Sequence, residues 1–204
     1  IGAIGHSAGG YTVAALLGAR PDLARLGAHC RAHRDDPACA YRDPSVGVTD
    51  ASPTPFRLPT DSPTDSIAGA DVADARIRAG VLLAPMGAVI APDSLGAVRG
   101  PLRLIGAERD EVLARPYHYD YLREGLPGAD ASLAAGAGHF SFIAPIAPEW
   151  RSALGPVAAD PPAFDRAAAG QDALAALAAL EAWHRAGPPS PILNRVFVLP
   201  RQNE

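Results

Sequence analysis

The chain has no lysine. Its 18 basic residues are all arginine, set against 22 acidic ones, and the formal net charge is −4. Scattered arginines on an acidic chain leave no electrostatic footprint for nucleic acid or an anionic membrane surface. Cysteine occurs twice, which excludes a disulfide-dense scaffold. No apolar run approaches the roughly 18 residues of a membrane-spanning helix, so no membrane span is expected. Large apolar residues are scarce as well: Leu, Ile, Val and Phe supply 45 of 204 residues, and alanine alone supplies 43. That share, about 22%, sits just above the floor of roughly 20% under which chains stay disordered. A core is within reach if small residues pack it or if it is shared with something else. Alanine is joined by 20 Gly and 21 Pro, a bias that GC-rich coding explains better than function does.

What is present has an order. The length allows one ordinary domain, or one domain with a tail. Ile1 to Ile4 reads as a short strand, Gly5 to Gly10 as a glycine-rich turn, and Ser7 to Ala19 as a helix ended near Pro21. A second short helix is expected over Pro21 to His29. Residues 30–66 are crowded with Pro, Asp, Ser and Thr and read as a lid-like excursion. Within it, Asp35-Asp36 reads as a solvated turn. Ile77 to Leu83, Pro101 to Ile105 and Ala131 to Ala134 read as buried strands, with a helix over Arg115 to Glu124. Strands alternating with helices predict an α/β fold with a mostly parallel sheet. In the last helix, Asp165 to Ala186, the residues Leu174, Leu177, Leu180 and Trp183 form the expected apolar stripe. Residues 187–204 read as a tail.

Gly5-His6-Ser7-Ala8-Gly9-Gly10 is a G-x-S-x-G sequence between an apolar strand and a helix, the context of a nucleophile elbow. Ser7 is expected in a strained turn that lifts its Oγ clear of the sheet. Side chains two residues before and after it would collide with their surroundings, hence Gly5 and Gly9. The helix start supplies partial positive charge, and the Ala8 N–H is the expected oxyanion donor.

A serine nucleophile needs a base, and the base an orienting acid. Of six histidines, His6 is locked beside the serine with its ring expected to turn elsewhere. His29 and His33 flank the excursion, and His118 and His184 fall in helical stretches. His139 follows the last strand in Ala137-Gly138-His139-Phe140, at a strand's C-terminal end where α/β sheets place their sites. It is the expected base. Asp110 is the expected acid, in Ala107-Glu108-Arg109-Asp110-Glu111 after the preceding strand, with Glu108 and Glu111 as alternatives. The chain order Ser7, Asp110, His139 is that of α/β-hydrolases.

On these motifs the chain resembles the α/β-hydrolase superfamily. Ala28 to His33 with Asp35 to Pro37, Ala137 to Phe142, and Asp160 to Ala167 are similar to predicted dienelactone-hydrolase-like bacterial proteins, themselves similar to platelet-activating-factor acetylhydrolases. The resemblance implies an α/β-hydrolase fold present from the elbow strand onward, the fifth to eighth strands of the superfamily order. It implies a serine esterase acting on small or medium carboxylic esters through an acyl-enzyme, with Ser7, Asp110 and His139 as triad and no cofactor. Authentic dienelactone hydrolases carry cysteine at the elbow where this chain has Ser7, which argues against dienelactone substrates.

The resemblance also implies that a preceding segment supplies a second oxyanion N–H. The 204 residues alone are then expected to be nearly inactive, and to self-associate through an exposed edge at the first strand. A non-catalytic binding module, or an acyltransferase or peptidase with the same triad, are the alternatives. Cys30 and Cys39 would pair in an exported protein and stay two thiols in cytosol. Together with the resemblance they point to a periplasmic or secreted protein. Neither spacing nor resemblance suggests a metal, although His29-Cys30-Arg31-Ala32-His33 offers ligands. Met86, Phe140, Phe142 and Trp150 are candidates for lining an acyl pocket, or plain core.

Overall fold

A computed structural model describes residues 1–22, 24–39, 71–162 and 164–186, the side chains of 183–186 excepted. Four parallel strands form one sheet in the order of the chain: β1 (Gly2–His6), β2 (Ala79–Leu83), β3 (Leu102–Ala107) and β4 (Asp130–Ala134). The register runs Gly2 to Ala79, Gly80 to Leu102 and Arg103 to Asp130. Helices α1 (Ala8–Leu16), α2 (Ala24–Ala32), α3 (Tyr119–Gly125), α4 (Pro148–Leu154) and α5 (Arg166–Ala186) complete the main elements. This is an α/β architecture.

Period-2 alternation divides the core between the two faces of the sheet. Leu82, Leu102 and Leu104 pack with Val13 and Ala14 of α1, with Leu17 just after it, and with Tyr119 and Leu122 of α3. Val81, Leu83 and Ile105 face the other way, onto Ala173, Ala176, Leu177 and Leu180 of α5. Both faces of β2 are therefore covered, and all five of its residues are buried. A third cluster is built from small residues: Ala84, Ala107 and Ala137, with Phe142 and Phe164 against them. The alanine-rich composition is thus used as core at the ends of the strands.

Several boundaries differ from expectation for identifiable reasons. The second helix begins at Ala24, because Pro21 bridges Ile90 and Asp22 accepts the Arg25 N–H through both its carbonyl and its carboxylate. The helix expected over Arg115 to Glu124 is split into a 3₁₀ turn, Arg115–Tyr117, and α3. The break falls at His118, whose φ of −122° and ψ of −77° swing its ring into the interior. On α5 Leu174 is 61% exposed, contrary to the expected stripe. Steps of three residues drift about 60° around a helix, so four of them cannot share one face. The buried face follows 173, 176, 177 and 180 instead. Helix α1 ends at Gly18 (φ 117°), where Ala19 N–H donates to Ala14 O and Gly18 N–H to Ala15 O.

The expected excursion is in part folded. Residues 30–39 complete α2 and a 3₁₀ turn, Pro37–Cys39, closed by a Cys30–Cys39 disulfide. Asp36 is 1% exposed, not a solvated turn. The rest of the excursion and the 187–204 tail lie outside the described residues.

Candidate active site

The C-terminal ends of the parallel strands lie on one side of the sheet, and three loops there carry the candidate residues. Ser7 follows β1, Asp110 follows β3 and His139 follows β4. Ser7 sits at φ 56° and ψ −117°. Together with Ala84 (φ 39°), at the end of β2, it is one of two non-glycine residues with positive φ among those described. Such strain costs of order 1–3 kcal/mol and persists where its surroundings enforce it. Here the Ser7 N–H donates to Leu83 O at 2.9 Å, and Ser7 O accepts from Met86 N–H at 3.1 Å and Tyr11 N–H at 3.2 Å. A serine at an N-cap ordinarily bonds the helix backbone. Ser7 makes no such bond; its Oγ is directed at His139.

Glycine is required at two positions of the turn, though not both of those expected. A Cβ on Gly5 would overlap the Gly9 carbonyl. Gly9 itself faces open space, so the expected collision there does not occur. The second crowded position is Gly10, where a Cβ would lie 2.8 Å from Pro85 Cβ.

The His139 Nε2 lies 3.0 Å from Ser7 Oγ, and its Nδ1 lies 3.0 Å from Asp110 Oδ2. With Nδ1–H donating to the carboxylate, Nε2 is left to accept the serine hydroxyl proton. Asp110 Oδ1 accepts the Val112 and Leu113 N–H groups at 3.0 and 2.7 Å, which fixes the carboxylate's orientation. The His139 and Asp110 side chains are 3% and 7% exposed, whereas Ser7 is half-buried and Ala8 exposed. Ala8 opens α1, so its N–H has no partner within the helix.

The two other carboxylates of the acid loop hold the histidine loop. Glu111 Oε2 accepts the His139 N–H at 3.0 Å, and Glu108 Oε2 accepts the Gly136 N–H at 2.8 Å. His6 does not turn away from the site. Its Nε2–H donates to the His139 carbonyl at 2.8 Å, and the two rings lie 4.7 Å apart. Burial, then the neighbouring His139, lowers its pKa to about 4, so His6 is neutral near pH 7.

A second buried His–Asp group lies beyond Asp110. Asp36 Oδ2 accepts from His29 Nε2–H at 2.7 Å and from His118 Nε2–H at 2.8 Å. Its Oδ1 accepts from Ala38 and Ala114 N–H at 3.1 and 3.3 Å. His118 Nδ1 accepts the Gly87 N–H at 3.1 Å, so His118 is the neutral Nε2–H tautomer. Burial alone would raise the Asp36 pKa, but hydrogen bonds from His118 and His29 outweigh it and hold it at about 2. Spacing gave no sign of this group, because His118 lies 82 residues from Asp36 and Asp35-Asp36 has the composition of a surface turn.

His29, Asp36 and Cys39 offer ligand atoms within 4.8 Å of one another. Cys39 Sγ is bonded to Cys30, and both Asp36 oxygens are engaged by N–H donors, so the grouping is a hydrogen-bonded one. A small cavity lies beside Asp110, lined by Ala84, Pro85, Asp110, Leu113, His118 and Tyr119 among others. None of the four expected acyl-pocket residues lines it. Trp150 is 61% exposed, and Phe142 belongs to the packed core.

Fold and geometry together define an α/β protein with a Ser–His–Asp hydrogen-bonded chain at the C-terminal edge of a parallel sheet. No family model, no curated protein and no solved structure matches the chain. Among the described residues no helix is long and apolar enough to cross a membrane.

Proposed function

We propose that the chain carries the catalytic machinery of a serine ester hydrolase of the α/β-hydrolase fold, acting on small or medium carboxylic esters. The observation that carries this reading is the Ser7 Oγ···His139 Nε2 and His139 Nδ1···Asp110 Oδ2 pair of 3.0 Å contacts at a backbone-strained, half-exposed serine. His139 Nε2 takes the Ser7 proton as Oγ attacks the ester carbonyl, and the Ala8 N–H stabilises the oxyanion. The C–O bond to the alcohol breaks as His139 returns the proton to it. Water then loses a proton to His139, attacks the acyl carbon and releases the acid, and Ser7 recovers its proton. Throughout, Asp110 accepts the Nδ1–H and stabilises the imidazolium. No step requires a cofactor.

A fluorophosphonate probe tests the reading. Labelling of Ser7 in the folded chain, lost in Ser7→Ala, supports it; a folded chain with no labelling rejects it in favour of a binding module. Turnover of p-nitrophenyl acetate that is lost in Ser7→Ala is the kinetic counterpart of the same test. β1 has one strand neighbour among the described residues, and Ile1 and Ile4 are 72% and 38% exposed. Concentration-dependent self-association through this edge is expected in sedimentation, and a monomer at every concentration removes it. The Cys30–Cys39 bridge supports an oxidising compartment, periplasmic or secreted.

A further inference from the structure

The segment after Asp110 is bonded to Asp35 and Asp36. Ala114 N–H donates to Asp36 Oδ1, Tyr117 Oη–H donates to Asp35 Oδ2 at 2.9 Å, and His118 Nε2–H donates to Asp36 Oδ2. The His33 and Tyr117 rings meet at a tilt of 38°, their centroids 4.3 Å apart. Through its other nitrogen, His118 receives the Gly87 N–H. The residue before Gly87 is Met86, whose N–H holds the Ser7 carbonyl. One buried carboxylate is therefore joined to the segment bearing the acid and, through His118, to the segment that braces the nucleophile. Asp36 does not touch Ser7, Asp110 or His139.

We propose that Asp36 is a positioning residue for the Asp110–His139 pair, held in place by the Cys30–Cys39 bridge. The bridge closes residues 31–38 into a short loop that presents Asp36 inward. Four N–H groups converge on its two oxygens, so a carboxylate there is satisfied and its direction set. Loss of that anchor frees Ala114 and His118, and with them the turn in which Val112 and Leu113 N–H orient Asp110. A displacement of about 1 Å in such a constellation costs on the order of 100-fold in rate.

The inference rests on the hydrolase reading for its kinetic test, and a second readout separates the two. In Asp36→Asn, the rate per phosphonate-titrated site is expected to fall roughly 10- to 100-fold with KM unchanged. The acid limb of the pH–rate profile should move to lower pH, because His139 loses carboxylate stabilisation of its imidazolium. Glu111 and His6 also face His139, and both remain. Placed on top of Asp110→Asn, the Asp36→Asn change should cost nothing further, since its effect passes through Asp110. An equal loss in both backgrounds, or an unmoved pH limb, overturns the proposal.

If the wild-type chain neither labels nor turns over, the hydrolase reading fails. The positioning inference is then decided by the His139 Hδ1 proton in NMR, expected downfield in the wild type and shifted or lost in Asp36→Asn. If Asp36→Asn does not fold, wild type is opened with dithiothreitol, which transfers two electrons and two protons to give two thiols and the cyclic disulfide. The same loss of the Hδ1 signal, reversed on reoxidation, supports the proposal, and an unchanged signal overturns it.

Discussion

Two buried histidine–aspartate groups lie among the described residues, and they are put to different uses. In the first, Asp110 takes one histidine, His139, and that ring's far nitrogen is left to a half-exposed serine. In the second, Asp36 takes two histidines, His29 and His118, and the far nitrogen of His118 is occupied by a backbone N–H. The chemical groups are nearly the same. What differs is whether one nitrogen lone pair is left for a proton in flight. A site keeps that lone pair open at a strained serine; a brace closes every bond.

The largest expected effect comes from breaking the first group. Asp110→Asn should lower turnover about 10⁴-fold by upsetting the His139 tautomer, measured per titrated site, while leaving the melting curve nearly unchanged. Ser7→Gly should abolish phosphonate labelling and yet raise stability, by roughly 1 kcal/mol, because glycine adopts φ 56° without strain. A Ser7→Gly variant that is less stable than wild type would refute the idea that the turn stores strain.

Breaking the second group should cost stability first, with the smaller rate loss that follows from a displaced Asp110. Asp36→Leu leaves buried donors from His29, His118, Ala38 and Ala114 without a partner, and a loss of roughly 3–5 kcal/mol is expected in urea denaturation. If Asp36→Leu costs under 1 kcal/mol, the contrast between site and brace collapses.

Acid sharpens the comparison further. The folded-state pKa of His6, at about 4, lies below its unfolded value near 6.5, so the unfolded chain gains protons first. Stability is therefore lost as pH falls from 6.5 toward 4, by roughly 3 kcal/mol at most. A His6→Gln variant should flatten that part of the pH–stability curve. Asp36 is also depressed, from 3.8 to about 2. Its contribution is present above pH 4 and lost between about 4 and 2, amounting to roughly 2 kcal/mol. His6 thus contributes to the slope near pH 5 and Asp36 to the slope near pH 3.

The disulfide is expected to act chiefly on the unfolded chain. Closing so short a loop contributes about 2–3 kcal/mol through the unfolded chain, so Cys30→Ser with Cys39→Ser should lower the denaturation midpoint by that equivalent. Any loss beyond this measures the support that the bridge gives the Asp36 brace in the folded state.

Local signals carried far in this chain. The strand–turn–helix context of Gly5 to Gly10 places a strained serine, and two strand-end loops name His139 and Asp110. The fold brings these three within hydrogen-bond distance. Each of those inferences uses residues adjacent in sequence, where glycine, a short apolar run and a helix start constrain one another. Expectations failed where packing across the fold decided the outcome. Gly9 is free while Gly10 is crowded, because Pro85 comes from another strand's end. The histidine beside the serine bonds the other histidine's carbonyl, 133 residues away. Leu174 points to solvent, because α5 meets the sheet along a different stripe.

The sequence by itself determined an acidic, lysine-free chain of alternating strands and helices, since composition and periodicity are local properties that need no partner. It also determined which serine, histidine and carboxylate stand at strand ends. Only the tertiary structure decided that Asp36 is interior, that it is shared by His29 and His118, and that the small core was filled by alanines gathered from three strand ends. Burial of a charge depends on donors arriving from distant segments, and composition does not record where those segments meet.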